Sequence, residues 1–213
     1  MRQIAIPLFP RVTALDAIGP YEVLQRLPDF EVVFVGSSVG EVRTENGFLG
    51  LSVDAMIDDV PTPDVIVVPG GIGSRAAMKD EHLLAWLRGA HGTTAFTTSV
   101  CTGSLVLGAA GLLDGLTATT HWAVYDALAS TGAVPVAERV VEHLDRRIIT
   151  AAGVSSGIDM ALRLAELLVD ATAAEAMQLM IEYDPQPPFD AGAWDKASDA
   201  VRQRVGEYAA LRD

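Results

Sequence analysis

The sequence contains one cysteine, Cys101, among 213 residues. A single thiol excludes a disulfide within the chain and gives no sign of an oxidising compartment. Cationic side chains are scarce: 15 Lys and Arg stand against 28 Asp and Glu, a formal net charge of −13. Nucleic acid is therefore not an expected partner, because its phosphates would be repelled. The acidity otherwise serves solubility. No apolar run approaches the roughly 20 residues that cross a bilayer, so no membrane partner is expected. The run Ile4-Ala5-Ile6-Pro7-Leu8-Phe9 is too short for a secretory signal, and no small-residue cleavage site accompanies it. The expected compartment is the cytoplasm. The four histidines, His82, His91, His121 and His143, show no ligand spacing and have no cysteine pair to join them, so no metal is expected.

Half of the residues are hydrophobic, enough for a domain that buries about 70% of its unfolded surface. Apolar, β-branched runs alternate with helical patterns. Strands are expected at Ile4–Leu8, Glu31–Val35, Asp64–Val68 and Ala95–Val100. Val39–Arg43 and Phe48–Val53 read as a hairpin about Glu45-Asn46-Gly47. Thr117–Thr120 reads as a short strand, and Arg139–Glu142 with Ile148–Ala151 as a strand pair. Helices are expected at Ala17–Leu27, ended by Pro28, and at Glu81–Arg88, Thr102–Ala110 and Trp122–Ala129. Two more follow: Ser155–Val169, capped by Ser155 or Ser156, and Thr172–Ile181, capped by Thr172. Tyr183–Phe189 reads as an extended segment and Trp194–Leu211 as a terminal helix. Strands separated by helices imply a mostly parallel sheet covered on both faces. One domain over residues 1–213 is the simplest organisation.

In such a sheet ligands bind beyond the carboxyl ends of the strands. Cys101 falls at one such end, between a buried strand and a helix. A thiol there meets free backbone N–H groups, which favour the thiolate and offer an oxyanion site; the competing reading is an inert core cysteine. Pro69-Gly70-Gly71-Ile72-Gly73 ends another strand. It lacks the full dinucleotide fingerprint, and reads either as a turn that brings N–H groups close to a reacting atom or as simple strand termination. Asp16 is either a helix cap or, beside a thiolate, a carboxyl that holds a proton and trades it with substrate and water. Glu22 is a second carboxylate, against a solvated helix face. His121 is a second-rank base, against a structural role.

At this point the residues resemble a known family. Ser99-Val100-Cys101-Thr102-Gly103-Ser104-Leu105 through Leu113 is similar to the nucleophile segment of the ThiJ/PfpI superfamily, most of all its isonitrile hydratase branch. Asp16 with Gly19-Pro20, Pro69-Gly70-Gly71, Thr119-Thr120-His121-Trp122, Gly157-Ile158-Asp159 and Ile181-Glu182-Tyr183 follow in that branch's order. The resemblance runs from about residue 3 to 192. It implies a flavodoxin-like three-layer α/β sandwich with a mostly parallel central sheet and helices on both faces, assembled as a homodimer. It implies Cys101 as nucleophile, Asp16 as acid and base, and the N–H groups of Gly71 (beside Gly70) and Thr102 as an anion-stabilising pair. The Thr102 hydroxyl would orient substrate or water, and Ala152 and Val154 would border the nucleophile. The implied reaction adds water to a small isonitrile through a thioimidate, giving an N-substituted formamide without a cofactor.

Two positions set this chain apart. Ala151-Ala152-Gly153-Val154 stands where the branch has a glycine-rich stretch and an isoleucine, so extra methyl groups narrow the site or stiffen the adjoining helix. Thr102 stands where the peptidase branch has a histidine, which argues against protease or amidotransferase chemistry. The related regulators carry a C-terminal DNA-binding domain, for which a chain ending at Asp213 leaves no expected room. The alternatives are a redox sensor with an oxidisable low-pKa thiol and a glyoxalase-like enzyme.

Overall fold

Strand β1 (Arg2–Pro7) runs through the middle of a seven-stranded sheet and is buried from Ile4 onward. Successive side chains point to opposite faces of a strand. Ile4 and Ile6 accordingly enter one core and Ala5 the other. The computed structural model describes residues 1–211. In chain order β1 is followed by β2 (Phe30–Gly36), β3 (Gly40–Arg43), β4 (Gly50–Val53), β5 (Ala55–Met56) and β6 (Val65–Val68). Then come β7 (Phe96–Val100), β8 (Thr117–Ala118), β9 (Val134–Pro135), β10 (Val140–His143) and β11 (Ile148–Ala151). The main sheet has the order β10-β11-β7-β6-β1-β2-β5, parallel throughout except for β10 against β11. The β3–β4 hairpin and the parallel pair β8–β9 stand apart from it.

Seven helices accompany these strands: α1 (Ala14–Leu24), α2 (Ser74–Ala77), α3 (Glu81–His91), α4 (Gly103–Ala109), α5 (Tyr125–Ala129), α6 (Ser156–Leu168) and α7 (Ala171–Met180). On one face Leu24, Met160, Leu164 and Met177 pack with Ile4, Ile6, Val65 and Val67. On the other Leu84, Leu87, Leu107 and Leu128 pack with Ala5, Ile66 and Val68. This is the expected flavodoxin-like three-layer sandwich. Its parallel strands read as continuous apolar runs because both faces are covered.

Several boundaries differ from the sequence reading. Helix α1 starts three residues earlier than expected, at Ala14, and closes at Leu24 with Gln25 as C-cap. Leu27 precedes a proline, which disfavours helical backbone, so the helix ends short of it. Ser155 caps α6 by position only and makes no side-chain cap bond, while Asp170 rather than Thr172 caps α7, accepting the Ala173 N–H at 2.8 Å. Trp122–Val124 forms a 3-10 turn ahead of α5. The short elements α2 and β5 are additional. Among the described residues no helix is long and apolar enough to cross a membrane.

The described residues fall into two compact units, Met1–Ile181 and a second that begins at Glu182. In the second unit α8 (Asp199–Ala209) is shorter than the expected Trp194–Leu211 and is capped by Ser198. Arg202 donates to the Trp194 carbonyl at 2.7 Å and lies 4.9 Å from the centre of that residue's ring.

Candidate active site

Cys101 joins β7 to α4 with a left-handed backbone, φ +57°. That conformation costs a non-glycine residue about 1–3 kcal/mol and persists only where neighbours over-determine it. Here they do. The Cys101 N–H is shared between the Ala151 carbonyl at 3.1 Å and the Ala152 carbonyl at 2.8 Å. Its own carbonyl accepts from the hydroxyls of Thr120 at 3.0 Å and Ser104 at 3.1 Å. A second strained residue lies close by: Val154, β-branched, has φ +38°.

The glycine turn after β6 places two polar side chains. The Gly70 N–H donates to Asp16 Oδ2 at 2.9 Å, and the Gly71 N–H donates to Thr102 Oγ1 at 2.8 Å. Thr102 Oγ1 in turn donates to the Gly71 carbonyl at 3.0 Å. A Cβ on Gly70 would stand 2.5 Å from the Thr102 nitrogen and 2.9 Å from Asp16 Oδ2. Gly71, at φ +130°, would drive a Cβ to 2.5 Å from both Arg11 O and Thr13 N. The turn therefore provides close backbone approach and does more than end a strand. It differs from the expectation in one respect. The Gly71 N–H is engaged by Thr102, whereas the N–H groups of Thr102 and Val154 are the ones that favour the ionised Cys101 sulfur.

Asp16 is fully buried, and its Oδ1 makes no hydrogen bond of standard geometry. Its side chain interacts with the Cys101 thiol, so that contact is looser than a standard hydrogen bond. Burial pushes the Asp16 carboxyl up to about 7, against the lowering effect of the Gly70 N–H and the thiol; nearby Glu45 adds to the rise. Burial likewise pushes the Cys101 thiol up to about 12, and the Asp16 charge adds to it, against the Val154 and Thr102 N–H bonds. The sequence reading expects a thiolate beside a protonated acid. In the structure burial opposes ionisation of both groups, of the sulfur as well as of the carboxyl. Desolvation outweighs two N–H bonds, and α4 is only seven residues long. A charge on one disfavours a charge on the other, so the two titrate as a coupled pair.

Cys101 opens on a cleft of about 260 Å³ lined among others by Ile72, Leu105, His121, Val124 and Val154. Thr102 and Gly71 line it too, whereas Ala152 contributes its carbonyl to the Cys101 turn. His121 is half-buried; burial lowers its pKa, with an opposing rise from Glu45, and its Nδ1 accepts the Ala123 N–H at 3.3 Å. Glu22 lies outside the cleft, ion-paired at 2.6 Å to Arg26, just past the end of α1. Glu45 and Arg75 also line the cleft and were not among the sequence candidates. Glu45 sits in a hairpin turn and Arg75 in a helix of four residues, and neither segment carries a chemical motif.

A buried thiol on a left-handed strand-to-helix turn, with a buried carboxyl against it, defines a cysteine-centred α/β protein. The chain belongs to the DJ-1/PfpI family, whose profile matches residues 2–167. It is 47% identical over 208 residues to the isonitrile hydratase of Pseudomonas putida, covering 98% of this chain and 90% of that protein. It resembles the crystal structure of a ThiJ/PfpI family protein from Pseudomonas syringae, with a TM-score of 0.92 and 40% identity, over 99% of this chain and 86% of that one. The HTH-type transcriptional regulator GbdR of Pseudomonas aeruginosa is 31% identical over 116 residues, which span 54% of this chain and 31% of the regulator.

Proposed function

We propose that the protein is an isonitrile hydratase, a hydro-lyase that converts R–N≡C and water to R–NH–CHO. The observation that carries the reading is the Asp16–Cys101 contact, buried and poised to exchange one proton, in a chain so similar to a curated hydratase. Cys101 is the nucleophile and Asp16 the acid and base. As Sγ bonds to the terminal isonitrile carbon, its proton passes to Asp16, and Asp16 delivers that proton to the same carbon. The product is a thioimidate, S–CH=N–R. Water then adds to this carbon. One water proton reaches nitrogen through Asp16, and collapse of the adduct breaks the C–S bond, returns a proton to sulfur and releases the formamide. Atoms balance, and no cofactor takes part.

Thr102 Oγ1 donates to one carbonyl and accepts one N–H. It keeps a single acceptor site, which suits it to orient the attacking water. The N–H groups of Thr102 and Val154 stabilise the leaving sulfur; Gly70 and Gly71 act through Asp16 and Thr102. We further propose a homodimer in the cytoplasm, with a small isonitrile as substrate.

The test is formamide production from p-nitrophenyl isocyanide and a panel of alkyl and aryl isonitriles. Cys101→Ala is expected to abolish turnover. Absence of product from freshly reduced wild-type protein with every isonitrile would overturn the reading. The redox-sensor alternative draws on the same thiol and parts from the hydratase on turnover: a sensor would yield no formamide in this assay.

A further inference from the structure

Glu45 stands at the tip of the β3–β4 hairpin, far from the cysteine in sequence, yet it lines the Cys101 cleft. The hairpin is pinned there by backbone bonds. Arg11 N–H donates to the Arg43 carbonyl at 2.8 Å, Glu45 N–H donates to the Val12 carbonyl at 3.2 Å, and Val12 bridges Thr44. From this base the half-buried Glu45 side chain reaches across, and its Oε1 accepts the Ile72 N–H at 2.9 Å. Ile72 directly follows the two glycines whose N–H groups hold Asp16 and Thr102. One carboxylate thus ties the hairpin to the turn that arranges the acid and the hydroxyl.

We propose that Glu45 is a positioning residue of this site: its carboxylate fixes the Gly70–Ile72 turn, and with it Asp16 and Thr102, and sets an acidic group at the Cys101 cleft. Burial is the first cause of the raised Asp16 pKa, and Glu45 contributes a like-charge push in the same direction. It also pushes His121 upward against that residue's burial. The other charged or titratable groups around the pair are accounted for. From the strand-to-helix turn comes Cys101 itself, from α2 the exposed Arg75 at the cleft wall, and from the segment before α5 His121. Glu22 on α1 is paired with Arg26, and Asp159 on α6 with Arg139.

Two variants separate anchor from charge. Glu45→Gln keeps an acceptor for the Ile72 N–H and removes the charge. Glu45→Asp keeps the charge and withdraws it from that N–H. Because Cys101 is the sole cysteine, iodoacetamide reports on it alone, and its alkylation rate follows the first proton lost by the pair. Glu45→Gln is expected to move that inflection down by about half to one pH unit. Glu45→Asp should leave the inflection within about 0.2 unit of wild type while lowering isonitrile turnover about tenfold. An unmoved or upward-moving inflection in Glu45→Gln overturns the charge role. Full turnover in Glu45→Asp overturns the anchor role. Should Glu45→Gln fail to fold, wild-type turnover in Glu45→Asp would still refute the anchor. The turnover arm rests on the hydratase reading and the alkylation arm does not, so failure of one is distinguishable from failure of the other.

Discussion

Helices α1 and α3 are both eleven residues long and lie against opposite faces of the same sheet. Helix α3 follows every local rule. Asp80 caps it, accepting the N–H groups of His82 and Leu83 at 3.1 and 3.2 Å. Leu83, Leu84, Leu87 and Ala90 form its buried stripe, and Trp86 satisfies its indole N–H on the Val60 carbonyl at 2.8 Å. Helix α1 breaks several. Thr13 makes no side-chain cap bond, a carboxyl is buried in the first turn, and Pro20 stands in the interior. Pro20 cannot donate to the carbonyl four residues back, which belongs to Asp16. Gly19 and Gly157 let α1 and α6 approach closely: a Cβ on Gly19 would lie 3.1 Å from Ile158, and one on Gly157 would lie 3.3 Å from Pro20. The helix that carries the buried acid departs from local preference, and α3, which contributes no residue to the cleft, does not. Violations of this kind concentrate where chemistry is done and are sustained by well-packed surroundings.

Replacing the buried acid is the sharpest way to probe that contrast. Asp16→Asn should lower formamide production about 10³-fold. It should also raise stability at alkaline pH. Unfolded Asp16 loses its proton near pH 4, whereas the folded carboxyl holds it until about 7. The folded state binds more protons between those values, so its stability falls as pH rises through the window. The cost is fully developed above pH 7 and reaches up to about 4 kcal/mol. Wild-type Tm should therefore drop from pH 4 to 8 more steeply than that of Asp16→Asn; parallel curves would refute the assignment. On the opposite face Leu87→Ala should cost about 2–5 kcal/mol in urea unfolding, with kcat per folded molecule unchanged. A large fall in kcat at full folding would erase the distinction between the two helices. The smallest effect is expected from Asp80→Ala, a loss of about 1 kcal/mol with no change in the pH dependence of turnover.

Much of the scaffold is written locally. The run Val65–Val68 can serve only as a strand covered on both sides, and the alternation of such runs with helical patterns leads to a parallel sandwich. Caps and boundaries were less legible. Asp170 outcompetes Thr172 because the helix already begins at Ala171, which leaves the Asp170 carboxylate to take the orphan Ala173 N–H. At the site, Cys101, Asp16, Thr102 and the paired glycines stand out as residue types at strand ends. Glu45 gives no such signal: in the sequence it is one more acid in a turn, and only the pinning of the hairpin against residues 11–13 brings it to the cleft. Glu22, an equally plausible carboxylate by composition, turns out to be held by Arg26.

The linear order of residues determined the layers of this protein, the strand-to-helix joint that bears its one thiol and the glycines that permit close approach there. These follow from side-chain size, period and backbone freedom, which act over a few neighbours. The tertiary structure decided how deeply the thiol and its acid are buried, which amides act on the sulfur and which further acid joins the cleft. Charge and hydrogen bonding depend on solvent exclusion and on distances between segments remote in the chain, and those exist only once the layers have closed.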